Sequence, residues 1–164
     1  MKVLIIAAGR GSRLNKLTND RPKALFPILG RSLIERVILT SKQAGIKEFV
    51  FVVGYLGDKI KEALGNGERF GVRIDYVKNE EWQEGNGVSV LKARELLNDN
   101  FVLLMSDHIF DVRILKELVD HQIKGSVMLA VDKKDPLPGD TKVLEKEGKI
   151  VAIGKEIDES NCLD

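Results

Sequence analysis

One cysteine, Cys162, stands in the whole chain of 164 residues, so an intramolecular disulfide and a cysteine-built metal cluster are both excluded. No apolar run approaches the roughly 18 residues of a membrane span. The amino terminus carries no charged-then-apolar leader with a cleavage site, and the expected compartment is the cytoplasm. Blocks of like charge are missing too: 26 basic residues are interleaved with 25 acidic ones, for a net charge of +1. The electrostatic footprint of a nucleic-acid binder is therefore absent. No linker, internal repeat or low-complexity stretch divides the chain, whose length suits one domain, residues 1–164. Glutamine is scarce while Lys, Glu, Val and Ile abound, a composition that leans toward a thermophilic source.

Two familiar nucleotide motifs are also lacking. The spacing Gly9-x-Gly11 reaches Leu14 where a dinucleotide fingerprint needs a third glycine or alanine, and Gly30 stands near the place of the ribose-binding acid. Neither Gly148-Lys149 nor Gly154-Lys155 is followed by Ser or Thr, so the P-loop of an ATPase is absent.

What the chain does have is an alternation of elements. Apolar runs of strand length lie at residues 3–8, 48–53, 73–77, 101–105 and 126–131. Between them, helical patterns cover 33–44, 56–64, 88–97 and 112–121. This is the rhythm of βαβ units around a parallel sheet. The expected fold class is α/β: a Rossmann-like three-layer α/β/α domain with a mostly parallel sheet. A polar loop over residues 133–140 then leads into a C-terminal β-hairpin, 141–145 with 149–154 across Glu147-Gly148. In open sheets of this kind ligands sit beyond the carboxyl ends of the strands, where Gly9 to Arg13, Gly54-Tyr55, Asn79-Glu80 and Ser106-Asp107 all fall.

The first of these loops is the most telling. Val3-Leu4-Ile5-Ile6 reads as a strand buried on both faces, and Gly9 and Gly11 permit a tight turn whose backbone N–H groups point above it. Such a nest suits phosphate oxygens, and Arg13 and Lys23 add positive charge around it. The same glycines also read as simple turn formers, with the cations solvated. In the loop after residue 77, Gly85 and Gly87 allow close backbone approach to a flat ligand. Asn86 with Ser89 there offers donors and acceptors that read a base or hold the loop, or else cap the next helix, with Trp82 as core filler. Asp107, at the end of its strand, is placed to hold a hard cation such as Mg²⁺, or to cap the helix that follows. His108 beside it is left unassigned, because Mg²⁺ prefers oxygen.

Leu4-Ile5-Ile6-Ala7-Ala8-Gly9-Arg10-Gly11-Ser12-Arg13-Leu14, with Arg21-Pro22-Lys23-Ala24-Leu25 and Pro27, resembles the opening of the sugar-1-phosphate and alcohol-phosphate nucleotidyltransferases. The resemblance implies that the loop of Ala7, Ala8, Gly9, Gly11 and Ser12 wraps a nucleoside triphosphate. It makes Arg13 and Lys23 the catalytic cations, and Asp107 the Mg²⁺ ligand. Asn79, Gly85, Asn86 and Ser89 join the nucleotide site, and Gly85-Asn86-Gly87-Val88-Ser89 looks like the cytidylyltransferase form of this loop. Lys155 and Asp164 are implied on the acceptor side, with Lys133 and Lys142 as weaker candidates.

Across nearly the whole chain the likeness is nearest to the inositol-1-phosphate cytidylyltransferases. It implies CTP and a small phosphorylated alcohol as partners, with no nucleic acid. A homodimer and a downstream fusion to a membrane-embedded transferase are the further arrangements expected. Members of the family continue past a lysine such as Lys155 into strands that finish the sheet and supply a second metal carboxylate, so a C-terminal part of the catalytic domain is expected to be missing here. Two other functions remain open: a mannose- or glucose-1-phosphate nucleotidyltransferase using GTP or TTP, and a non-catalytic nucleotide-binding module.

Overall fold

A computed structural model describes residues 1–11, 19–121, 127–133, 137 and 139–157. The chain forms two compact units, Met1–Gln122 and Ile123–Asp164.

In the first unit, strand β1 (Lys2–Ala7) is flanked by β4 (Glu48–Val53) and β6 (Phe101–Met105), and β5 (Arg73–Lys78) lies beyond β4. All four strands are parallel, with Val3 beside Phe49 and Val102, and Phe49 beside Ile74. Their near-continuous apolar sequence follows from burial on both faces. On one face Val3, Ile5, Phe49 and Phe51 pack against Ile34, Val37 and Ile38 of α1 (Leu33–Gln43). Ile60 and Leu64 of α2 (Gly57–Leu64) and Leu115 of α4 (Val112–Asp120) complete that cluster. On the other face Leu4, Val50 and Val52 meet Val90 of α3 (Asn86–Lys92), Ala93, and Leu96 of a following turn of 3₁₀ helix. These are the three layers expected of a Rossmann-like domain. Among the described residues no helix is long and apolar enough to cross a membrane.

Strand order β5-β4-β1-β6 places the reversal of chain direction between β1 and β6. From β1 the chain winds outward through β4 to β5, then returns to β1's other side. A crevice opens at such a switch point, beyond the carboxyl ends of the two strands.

Helix α1 starts from a capping box. The Ser32 hydroxyl accepts from the Glu35 N–H at 3.4 Å, while the Ser32 N–H donates to the Glu35 carboxylate at 2.8 Å. Just before it, strands β2 (Pro27–Ile28) and β3 (Arg31–Ser32) form a hairpin that the sequence pattern does not reveal. Its two turn residues both have positive φ, +48° at Leu29 and +78° at Gly30. Leucine is an unusual choice for such a turn and hides it from a search for Asn-Gly or Asp-Gly. Helix α3 begins at Asn86 rather than at residue 88, and the chain tightens into 3₁₀ geometry after Lys92.

In the second unit, β7 (Lys142–Lys146) pairs antiparallel with β8 (Lys149–Gly154) across Glu147 and Gly148, as the sequence predicts. The strand expected over residues 126–131 does not form across 127–131, and Ser126 lies outside the described residues. Val127 and Val131 are 74% and 48% exposed. The run has strand composition, but a strand exists only through pairing with a neighbour, and β propensity yields to that context.

Ser32, the N-cap of α1, and Ser41 within it should behave oppositely. Burial alone would raise the Glu35 carboxyl, yet hydrogen bonds from Ser32 and the Arg69 guanidinium, at 2.7 Å, hold it below its usual value. That group therefore adds stability above the pKa it has when unfolded, and the gain is lost as pH falls through its folded value. Ser32→Ala should cost about 1 kcal/mol in urea unfolding at neutral pH, and should shrink the acid-side loss. Ser41, fully buried with its hydroxyl unpartnered among the described residues, should instead give about 1 kcal/mol of added stability when changed to Ala.

Candidate active site

The loops leaving β1, β4, β5 and β6 meet at the carboxyl edge of the sheet. Tyr55 N–H donates to the Ala8 carbonyl at 2.9 Å, Asn79 N–H to Val53 at 2.8 Å, and Ser106 N–H to Ile6 at 3.3 Å. Gly54 is the hub of this meeting. A Cβ there would stand 2.6 Å from Trp82 Cβ, 2.9 Å from the Ala8 oxygen and 3.0 Å from the Asn79 oxygen. Only a residue without a side chain lets the three loops approach so closely.

Two of the expected site residues come together across the switch point. Lys23 Nζ, at the start of a 3₁₀ turn, lies 2.5 Å from Asp107 Oδ2, just beyond β6. Both side chains are partly shielded, at 30% and 21% exposure. Gly11 sets the position of the lysine. Its φ is +70°, and a Cβ on it would come 2.9 Å from Lys23 Cβ, so the Lys23 stem lies against the bare glycine backbone. Gly9 has open space around it, and Ala7 and Ala8 are buried in the floor beneath the turn. Ser12 and Arg13 lie outside the described residues.

Asp107 does not cap α4. That place belongs to Asp111, whose carboxylate accepts from Arg113 N–H at 2.8 Å and is drawn down to about 2 by the hydrogen-bonded Arg113 guanidinium. The Asp107 carboxylate is thus available to the crevice. His108 is 70% exposed, its Nε2 3.9 Å from Asp107 Oδ1.

Asn79 and Ser89 are both buried and bound to each other, with Asn79 Nδ2 donating to Ser89 Oγ at 3.0 Å. Asn79 Oδ1 also accepts from Glu81 N–H at 2.9 Å. In this arrangement they hold the loop, and Gly85 rather than either side chain forms the N-cap of α3. Asn86 is exposed at the first turn of α3, and the flanking Gly85 and Gly87 have open space around them. Trp82 packs against the second core cluster with its ring 5.4 Å from that of Tyr55. Lys155 follows β8 and is exposed, and Asp164 lies outside the described residues.

A contact not foreseen from sequence is the tie between Tyr55 and Asn19, a hydroxyl donating to a carbonyl at 3.0 Å. The glycine that ends an apolar strand ahead of Tyr55 is its one sequence signal. Among the described residues no group of three or more His, Cys, Asp or Glu side chains gathers as a metal centre. A lone carboxylate still suits Mg²⁺, which keeps several waters and binds through one or two carboxylates together with substrate phosphates.

A lysine and a carboxylate meet here beside a glycine turn at the reversal point of a parallel sheet, the place where α/β proteins of this architecture bind their ligands. The family model described as "Nucleotidyl transferase" matches residues 2–137, and the chain belongs to that family. The bifunctional IPC transferase and DIPP synthase of Rubrobacter xylanophilus is 34% identical over 164 residues, covering 98% of this chain and 36% of that protein. The structure of the inositol-1-phosphate CTP transferase from T. maritima superimposes with a TM-score of 0.75 at 28% identity, over 96% of this chain and 64% of that one. A putative glucose-1-phosphate thymidylyltransferase from Bacillus anthracis gives 0.78 at 25% identity, over 94% and 64%. This chain therefore spans about a third of the length of the Rubrobacter relative.

Gly54→Ala should lower stability by about 1 to 3 kcal/mol, the usual cost of an added group where packing is closed. Urea unfolding measures it, and a midpoint equal to that of the unsubstituted chain would contradict the close approach described here.

Proposed function

We propose that the chain catalyses nucleotidyl transfer, moving CMP from CTP to a small phosphorylated alcohol, with inositol-1-phosphate as the first choice. Pyrophosphate leaves and a CDP-alcohol forms. The observation that carries this reading is the meeting of Gly11, Lys23 and Asp107 at the switch point, in a chain of this family. The names of the Rubrobacter relative and the T. maritima neighbour support the substrate pair. The family match also runs across the boundary between the two compact units, which supports one catalytic domain.

The chemistry asks for alignment and charge neutralisation. An acceptor phosphate oxygen attacks the α-phosphorus in line as the bond to pyrophosphate breaks. A phosphate monoester, with its second pKa near ~6, is already largely dianionic at neutral pH, so no general base is required. The backbone of Gly9 and Gly11 receives triphosphate oxygens, and Lys23, with Arg13 by resemblance, offsets their charge. Asp107 and the bound phosphates would hold Mg²⁺, which when present supplies further neutralisation of the phosphate charge. Before nucleotide binds, Lys23 and Asp107 neutralise each other. An arriving polyanion competes for the ammonium, which would leave the Asp107 carboxylate oxygens open to hold a cation. Asn79 and Ser89 serve by shaping the loop and Asn86 by facing the base, while Lys155 and Asp164 are assigned to the acceptor by resemblance alone.

The Bacillus anthracis neighbour favours a second reading, a sugar-1-phosphate acceptor with TTP or GTP. A screen of the four nucleoside triphosphates against inositol-1-phosphate and sugar-1-phosphates, followed by pyrophosphate release, separates the two. CTP with inositol-1-phosphate should be fastest. Preference for TTP or GTP with a sugar phosphate would select the second reading, and nucleotide binding without any pyrophosphate would mark a non-catalytic module. Lys23→Ala should reduce turnover by about 10²- to 10³-fold. Near-normal turnover in that variant would remove Lys23 from the chemistry.

A further inference from the structure

Tyr55 joins two stretches of the candidate active site that are distant in sequence. Its own backbone is closely held. Gly54 before it is packed on Trp82, Ala8 and Asn79, its N–H is bonded to Ala8, and Leu56 after it is in the left-handed region at φ +52°. From this fixed point the side chain reaches in three directions. Its ring lies 5.4 Å from the ring of Trp82, and the Arg10 guanidinium stands 5.5 Å from its centroid. Its hydroxyl donates to the Asn19 carbonyl at 3.0 Å.

Arg10 closes the arrangement by donating to Asn19 Oδ1 at 3.2 Å, and Lys59 of α2 donates to the Asp20 carbonyl alongside. Arg10 immediately precedes Gly11, and Asn19-Asp20 lead through Arg21 and Pro22 into Lys23. One side chain thus holds both approaches to the contact between the Gly11 backbone and the Lys23 stem. The hydroxyl is directed at a main-chain carbonyl, so its part lies in where it puts the neighbouring chain.

We propose that Tyr55 is a positioning residue for the nucleotide: through Arg10 and Asn19 it sets the spacing of Gly11 and Lys23 that receives the phosphates. This rests on the nucleotidyl-transfer reading. A site competent for only part of the time binds with affinity reduced by that fraction, while saturating nucleotide restores the competent form. Loss of the Tyr55 anchor therefore raises the KM for nucleotide and leaves kcat and the acceptor KM in place.

The test uses the full chain, its Tyr55→Phe variant, and Tyr76→Phe as a control. Tyr76 also donates its hydroxyl to a carbonyl, that of Gly65 at 2.7 Å, away from the crevice. Steady-state pyrophosphate release is measured with whichever nucleoside triphosphate the unsubstituted chain uses best. Tyr55→Phe should raise the nucleotide KM about 2- to 10-fold, the range of one hydrogen bond. Tyr76→Phe should leave it unchanged even where its thermal midpoint falls. An unaltered nucleotide KM in Tyr55→Phe overturns the proposal and leaves nucleotidyl transfer standing. So does a rise matched by Tyr76→Phe, or one confined to kcat or to the acceptor. An unsubstituted chain that neither binds nor turns over any of the four triphosphates overturns the nucleotidyl-transfer reading, and this proposal with it.

Discussion

The ion pair between Lys23 and Asp107 is the contact on which the candidate site turns. It joins residues 84 apart in the chain, one after the glycine turn that leaves β1, the other at the end of β6. Partial shielding places it between two extremes. A fully exposed pair is weakened by solvent and salt, and a deeply buried one suffers the cost of losing water around two charges. In the crevice both side chains keep part of their surface open to solvent. The local geometry fits the pair: a side chain on Gly11 would meet the Lys23 stem, and the pairing of β6 with β1 carries Asp107 to the same edge.

A second constraint sits at the corner after β4. Gly54 brings the loops from three strands to a common point, and the residues beyond it accept unusual backbone geometry. Leu56 at positive φ carries a cost of roughly 1 to 2 kcal/mol. Strain of that size persists only where surrounding structure leaves no alternative. Here Gly57, within 3.0 Å of Val53 for any added Cβ, locks the start of α2 against the strand it follows. The corner is a rigid seat, and Tyr55 stands on it.

Much of this architecture was legible from sequence because it is written in local pattern. The apolar runs at β1, β4, β5 and β6 announce a sheet covered on both sides, and Ser32 with Glu35 begins α1 as residue preference dictates. The family resemblance assigns Lys23 and Asp107 each to one nucleotide site, but their direct contact is not legible in the sequence. What could not be read is what depends on distant packing. The hairpin at Leu29-Gly30 uses a leucine where turn rules look for a polar residue, and Arg36 fastens it by donating to the Ile28 carbonyl. The run at residues 127–131 has the right composition but no pairing neighbour among the described residues. Asn79 and Ser89 carried the ambiguity of all small polar residues: donors and acceptors look alike in sequence whether they face a ligand or each other.

That last pair has a bearing on which positions of this scaffold can change. Asn79 and Ser89 complete one another's hydrogen bonding inside the fold, so replacing either leaves a buried polar group without its partner. Asn86 stands at the first turn of α3, exposed and flanked by open glycines. The segment therefore combines an inner pair resistant to substitution with an outer face that makes no close packing. Substitutions are tolerated at that outer face far more readily than in the pair beneath it.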